Sequence, residues 1–379
     1  MRKKFTDCVD IVGSPCENFE STKFYISTGA VDEDDINEYG IEVINFEEKP
    51  SRANLVVKSD DIIFAKMQAT KKTLLINEEF AEYVYSTGFC AVHAKKNILT
   101  RDCLLYLLMS KAFLNQKDKN CSGATQKAIT NAGLQKIIVN IPDYKLQDDI
   151  SKRLSILLKV INMRKNELDM LDDLIKARFV EMFGDPRSNP FGFKKMILKD
   201  TCKIITGNTP SRAVDEYYGE FIEWIKTDNI VSGLLYPTKA TEGLSEIGVK
   251  IGRTVDKDSI LMACIAGSIA SIGRVCITDR RVAFNQQINA IIPQKYNIHF
   301  LYVLLQISKD YLVEDINMAL KGILSKSKLE EKEFVVPPKE LQEQFAEFVH
   351  RVDKSKVVVQ KSLDETQMLF DSLMQKYFG

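Results

Sequence analysis

The chain has 379 residues, and its 52 lysines and arginines balance 52 aspartates and glutamates, so the formal net charge is zero. An apolar share of 45% and a charged share of 27% are ordinary globular values and exclude a wholly disordered chain. The length suits two or three domains of roughly 100–200 residues, and no apolar run approaches the ~18–20 residues of a membrane span.

The start, Met1-Arg2-Lys3-Lys4-Phe5, is basic but does not lead into the apolar stretch of a signal peptide. Cysteines at 8, 16, 90, 103, 121, 202, 264 and 276 form no C-x-x-C pair, so reduced, buried thiols and a cytoplasmic location are expected. The histidines His93, His299 and His350 are isolated, and no metal site is expected. Neutrality argues against coating nucleic acid by bulk charge. The charge is nonetheless uneven: residues 1–50 carry 5 basic and 12 acidic side chains, residues 51–200 carry 25 and 17.

In chain order, residues 1–143 carry short strand signals at Leu55–Val57, Ile62–Phe64 and Leu74–Ile76, then a buried helix around Leu104–Leu108. Residues 144–184 carry a long helical period. Ile150, Leu154, Leu157, Ile161, Arg164, Leu168, Leu171 and Ile175 advance by alternating steps of four and three, a heptad seam. Gly184-Asp185-Pro186 ends that helix. Residues 185–338 form a second strand-rich region, with turns at Gly207-Asn208-Thr209-Pro210 and Val231-Ser232-Gly233 and strands at Val282–Phe284 and Ile288–Ile292. In residues 339–379 the same seam returns as Phe345, Val349, Val352, Lys356, Val359, Leu363, Thr366 and Phe370.

A shift of 195 residues superposes the middle of the chain on its end. Pro142 meets Pro337, Leu146-Gln147 meets Leu341-Gln342, Leu168-Asp169 meets Leu363-Asp364, and Phe183-Gly184 meets Phe378-Gly379. Helical parts match well and strand-rich parts patchily, which predicts one scaffold carrying two different surfaces. The two helices are expected to pair in an intramolecular coiled coil, with the polar breaks Arg164, Lys356 and Thr366 setting register.

Catalytic motifs are missing. Gly267-Ser268-Ile269-Ala270-Ser271-Ile272-Gly273-Arg274 spaces its glycines one residue too far for a phosphate loop and has Arg274 where Lys followed by Ser or Thr is needed. Asn189-Pro190-Phe191 and Val336-Pro337-Pro338-Lys339 each fall short of the Asn/Asp-Pro-Pro-aromatic run of a DNA methyltransferase. Glu47-Glu48-Lys49 and Glu330-Glu331-Lys332 have nuclease-like spacing but sit in charge-dense, solvated stretches. No Ser/His or Cys/His hydrolase motif is present.

Binding chemistry is better represented. Base edges in the major groove are read by Arg, Lys, Asn and Gln, which offer paired hydrogen bonds. Lys66, Gln68, Lys71 and Lys72 cluster in the first region; Arg212, Lys226, Asn229, Arg274, Asn285, Gln286 and Gln287 cluster in the second. Lys117, Lys119 and Lys127 flank Ser122-Gly123-Ala124-Thr125-Gln126, where backbone N–H groups and positive charge suit phosphate, with Thr125 and Gln126 in reach. A coiled-coil adaptor with two protein-binding heads is the alternative that neutral charge allows.

Three segments of the first half stand out together: Gly123-Ala124-Thr125-Gln126-Lys127-Ala128-Ile129, Ile141-Pro142 through Leu146-Gln147, and the helix end from Phe179 to Gly184. The second half adds Gly207-Asn208-Thr209-Pro210-Ser211, Tyr217-Tyr218-Gly219 with Trp224-Ile225, and Asn285-Gln286-Gln287. On these motifs, in this order, the sequence resembles over essentially its whole length the specificity (S) subunits of type I restriction-modification systems. The resemblance implies an α+β protein in which two mixed α/β target recognition domains, 1–143 and 185–338, are separated by two long antiparallel helices with pseudo-twofold symmetry. It further implies a split double-stranded DNA target, two methyltransferase (M) subunits docked on the helices, and restriction (R) subunits. This chain would bind no cofactor; S-adenosylmethionine, ATP and Mg would sit on the partners. Two departures stand out. The second half has Met318-Ala319-Leu320-Lys321-Gly322 where the first has Gly123–Lys127, and the opening Asp7-Cys8-Val9-Asp10-Ile11-Val12-Gly13 lacks the Thr-Pro-Ser-Arg run of the second half.

Overall fold

The computed structural model describes residues 1–32, 35–124, 126–314, 316 and 322–379, and the chain divides into two units. Unit 1 is Met1–Lys165 with Lys361–Gly379; unit 2 is Asn166–Gln360. Unit 1 begins β1 (Arg2–Lys4), α1 (Phe5–Cys8), β2 (Val9–Val12), β3 (Lys23–Ile26), β4 (Ile41–Ile44), β5 (Ala53–Leu55), β6 (Ile62–Ala65), β7 (Thr73–Leu75), β8 (Val84–Ser86) and β9 (Phe89–Ala94). It continues with α2 (Arg101–Met109), α3 (Lys111–Lys119), α4 (Asn131–Leu134) and β10 (Ile138–Asn140). The long helix α5 (Tyr144–Phe183) passes from unit 1 into unit 2.

Unit 2 then holds β11 (Lys195–Ile197), β12 (Cys202–Thr206), β13 (Tyr218–Ile225), β14 (Gly243–Leu244), α6 (Glu246–Ile251), β15 (Thr254–Val255), β16 (Ile260–Ala263), β17 (Val275–Ile277), β18 (Val282–Phe284) and β19 (Ile288–Pro293). After these come α7 (Ile298–Ile307), α8 (Lys309–Val313), α9 (Lys326–Glu331) and β20 (Glu333–Val335), and α10 (Lys339–Phe378) returns into unit 1.

The sheets expose the duplication that strand sequences hide. Unit 1 has orders β2-β9-β6-β7, β4-β3-β8-β5 and β1-β10; unit 2 has β12-β19-β16-β17, β14-β13-β18-β15 and β11-β20. The second set repeats the first shifted by ten strands. Even the parallel pairings correspond, β3 with β8 and β13 with β18, among otherwise antiparallel ladders.

Strand β6 explains why its sequence shows no polar alternation. Ile62 and Phe64 point into the core shared with α2, whereas Ile63 and Ala65 face the second sheet. A strand apolar on both faces reads as a continuous run. Its counterpart β16 behaves alike, with Ile260 and Met262 in one core and Leu261 and Ala263 in the other. Each isoleucine, leucine, methionine or phenylalanine so buried contributes about 1.5–3 kcal/mol.

The repeated Leu-Gln pairs also find a physical reason. Gln147 is fully buried; its Oε1 accepts the N–H of Thr100, the residue capping α2, at 2.8 Å, and its Nε2 donates to Ile98 O and Pro142 O. Gln342 does the same in unit 2, accepting the N–H of Asn297, the cap of α7, at 2.8 Å and donating to Pro337 O. Each long helix is thereby tied to the start of a neighbouring short one.

The seam positions Ile150, Leu154, Ile161, Ile175, Phe345, Val349, Val352, Val359 and Phe370 are buried, and Leu157, Leu168, Leu171 and Leu363 are half-buried. In unit 1, Ile150, Leu154 and Ile161 share a core with Phe370, Met374 and Phe378. In unit 2, Phe179 stands against Phe345, and Lys356 donates to Asp172 at 2.6 Å, so rising numbers on α5 meet falling numbers on α10 and the helices run antiparallel. Lys356 breaks the seam without leaving its charge unpaired. Thr366 turns its hydroxyl onto Ser362 O within its own helix. All eight cysteines are free, and seven are buried.

Candidate nucleic-acid interface

In unit 1 the hairpin of β6 and β7 turns through residues 66–72, which carry Lys66, Gln68, Lys71 and Lys72. The loop stands on Lys117 of α3. That lysine is fully buried, and its ammonium donates to the carbonyls of Thr70 at 2.7 Å, Met67 at 3.0 Å and Ala65 at 3.4 Å. Lys117 is therefore no surface phosphate ligand, as its place in a basic cluster had implied; it is the foundation of a loop. Burial lowers its pKa against the opposing pull of Asp118.

Asp118 accepts the N–H of Ala69 on Oδ1 at 3.1 Å, which secures Ala69 in the left-handed region at φ 60°. The Gln68 side-chain Nε2 donates to Asp118 O at 3.4 Å, and the Gln68 N–H donates to Lys127 O at 2.9 Å. A second strap comes from Ile129 N–H to Lys66 O, also 2.9 Å. The segment joined in this way is itself a small ladder in which Ser122 and Ala128 exchange N–H groups. It needs Gly123 at φ 134°, where a Cβ would lie 2.4 Å from Gln126 O.

Gln68, Lys71, Lys119, Gln126 and Lys127 are exposed around these two loops, while Lys66 and Lys72 are half-buried. Lys72 donates to Thr28 O at 2.8 Å, which fixes it as a strut between loops. Lys71 lies near enough to Asp371 to add to the field of Lys111, whose 2.8 Å contact holds that carboxyl below its usual range. Thr125 lies outside the described residues, as do Met318 to Lys321 of the corresponding segment in the second half.

Unit 2 builds its surface from three cross-tied loops. Gly207 N–H donates to Ile288 O at 2.9 Å, Asn208 N–H to Phe284 O at 3.2 Å, and Asn285 N–H to Ile225 O at 3.0 Å. Only glycine fits at 207, since a Cβ would come within 2.0 Å of Asn285 O. On this base Arg212 lies 4.4 Å from the Tyr218 ring centre and 5.1 Å from that of Trp224, and Lys226 lies 5.2 Å from Trp224. Both cations share Glu242: Arg212 donates to it at 2.6 Å, and Lys226 pairs with its other oxygen. Lys226 and then Arg212 hold the Glu242 carboxyl below its usual range. The exposed Gln286 accepts from Thr209 Oγ1.

Two amides and one guanidinium singled out by sequence are committed elsewhere. Asn285 is buried and closes its own turn, accepting Gln287 N–H on Oδ1 and donating to Gln287 Oε1, both at 3.1 Å. Asn229 accepts Lys226 N–H at 2.9 Å and donates to Thr238 Oγ1 and Lys239 O. Arg274 is half-buried, with Nε donating to Ser271 O at 3.2 Å. Of the remaining candidates Arg212 and Gln286 are exposed, and Lys226 is half-buried beside Arg212 on Glu242. Glu242 carried no sequence signal, because a lone acidic residue in a polar stretch looks like any other.

Among the described residues no three His, Cys, Asp or Glu side chains gather to hold a metal ion, and no helix is long and apolar enough to cross a membrane. The molecule thus presents two copies of one sheet scaffold, each with its own set of polar and basic loops, on a pair of long helices. These features define a protein of duplicated design with two different polar surfaces on one scaffold. The profile of the type I restriction modification DNA specificity domain matches residues 16–171 and again 190–365, and the chain belongs to that family.

The specificity subunit of the type I restriction enzyme HindI from Haemophilus influenzae is 23% identical over 342 residues, covering 70% of this chain and 73% of that protein. The type I S subunit from M. genitalium shares the fold, with a TM-score of 0.58 at 14% identity, over 100% of this chain and 96% of that one. So does a chain solved in work on complex assembly and conformational transition of the type I R-M system, with a TM-score of 0.56 at 18% identity, over 100% and 97%. The protein-binding adaptor is not favoured; sequence-specific DNA recognition for a type I system is the function.

Proposed function

We propose that the chain reads a two-part double-stranded DNA target, one half-site per recognition domain, and supplies the address for reactions performed by partner subunits. The observation that carries this reading is the duplication: identical strand orders bearing different loops. One scaffold used twice gives two readers of matching build and different specificity. A few side chains in each suffice, since a good paired contact to a base is worth about 1–3 kcal/mol of discrimination.

The partners in this reading are two methyltransferase subunits and, in the restricting form, restriction subunits. S-adenosylmethionine, ATP and Mg belong to them, this chain performs no reaction of its own, and the complex works in the cytoplasm. Ile156, Met163 and Met170 support a docking role for the helices. They recur every seven residues on α5 and are 62%, 69% and 71% exposed, and so large an apolar stripe is unusual on a helix with nothing to meet. The test is to map DNA methylation in a host carrying the system with and without this chain. Loss of methylation at a single split sequence is the expected result; an unchanged map would overturn the reading.

A further inference from the structure

Building on the DNA-specificity reading, we infer that the β6–β7 hairpin loop, residues 66–72, is the base-reading element of the first recognition domain, with Gln68 at the base edge and Lys117 as its positioning residue. The duplication supplies an internal control. Strand orders and pairings are common to both domains, yet the loop between β6 and β7 spans residues 66–72 and its counterpart between β16 and β17 spans residues 264–274. What two readers share cannot tell their half-sites apart, so discrimination belongs to parts that differ, and this hairpin differs in both length and sequence. A two-stranded ribbon also has the width to enter the major groove.

The way the loop is held points the same way. An ammonium withdrawn from water is costly unless its donors are satisfied, and Lys117 spends them on three carbonyls of this one turn or its edge. Ala69 at positive φ adds backbone strain, held by the Asp118 carboxylate. A solvent-exposed connection needs none of this. A loop that must meet a ligand in one shape does, because ordering completed beforehand is not charged against binding. Gln68 stands exposed in that loop with Nε2 already donating to Asp118 O. Its Oε1 is the free acceptor, which suits the exocyclic amino group that adenine or cytosine displays in the major groove. Gln126 and Lys127 are exposed on the segment strapped to the loop, where they suit the neighbouring backbone phosphates.

The experiment maps methylation in a host carrying the complete system with the wild-type chain, with Gln68→Ala, or with Lys117→Met. Both variants are expected to relax one half of the methylated sequence, by about tenfold or more at one or more base pairs, and to spare the other half. Lys117→Met should also speed amide hydrogen exchange in residues 66–72 of the purified chain, and Gln68→Ala should not. Wild-type discrimination in both halves with Gln68→Ala overturns the inference. So does a Lys117→Met chain that methylates the unaltered sequence more weakly everywhere. If Lys117→Met does not fold, Gln68→Ala decides by the same two outcomes. A wild-type map identical to that of a host lacking the chain would instead sink the DNA-specificity reading itself.

Discussion

Gln147 and Gln342 show how much a single residue can settle in this protein. Each accepts the capping N–H of a short helix on its Oε1 and donates its Nε2 to nearby carbonyls, Ile98 O and Pro142 O for Gln147 and Pro337 O for Gln342. Replacing either by alanine strands a buried backbone N–H and a carbonyl, a loss of about 1–3 kcal/mol that thermal melting will register. His299 is a second decisive residue. It is buried, its ring centre is 4.5 Å from that of His350, and its Nδ1 has no partner. Desolvation first, then His350, brings its pKa from 6.5 down to about 4 despite an opposing pull from Asp258. The folded state therefore binds fewer protons than the unfolded one between those values. The stability His299 confers is complete above pH 6.5 and is lost as pH falls toward 4, by up to about 3 kcal/mol. Melting curves across that window should flatten in His299→Phe. Neither residue's role was legible beforehand. The Leu-Gln repeat was visible, but its reason lies in partners more than forty positions away. Lys117 looked like surface charge because lysine almost always is.

Among the elements, the long helices were the most legible, because a heptad seam is a local property that survives burial. The same seam ranks their substitutions. Phe179 is fully buried among Phe183, Phe300 and Phe345, so Phe179→Ala should cost about 3–5 kcal/mol. Ile156→Ala, on the exposed face of α5, should stay within about 0.5 kcal/mol in the isolated chain. Denaturant titration of the two variants checks the contrast. Strands β6 and β16 were legible as apolar runs, but their partners were not, since pairing is settled by neighbours far along the chain. Loops were least legible. Nothing local to Asn229 or Asn285 announces that the amide is spent on its own turn, and nothing local to Arg212 announces Glu242 thirty positions away.

For the whole molecule, zero net charge describes no particular surface. It averages an acidic N-terminal stretch with basic loops, and it leads us to expect weak, salt-sensitive DNA binding by the chain alone, tightened when methyltransferase partners add their own charge. Gel-shift titrations with and without those partners at two salt concentrations test this. Modularity gives a second expectation. Exchanging residues 1–140 for those of another family member should change one half of the methylated sequence and keep the other, and Gln286→Ala, at an exposed position of unit 2, should affect only the second half-site. Methylation mapping decides both, and equal changes in the two halves would contradict them.

The division of the units through both long helices also sets an order of events during synthesis. Unit 2 is one uninterrupted stretch, whereas unit 1 needs residues 361–379, which leave the ribosome only after all of unit 2. Until then Ile150, Leu154 and Ile161 lack Phe370, Met374 and Phe378. The first domain to emerge is thus the last to be completed, and a released chain truncated after residue 360 should yield a protease-resistant unit 2 beside a unit 1 still open to cleavage.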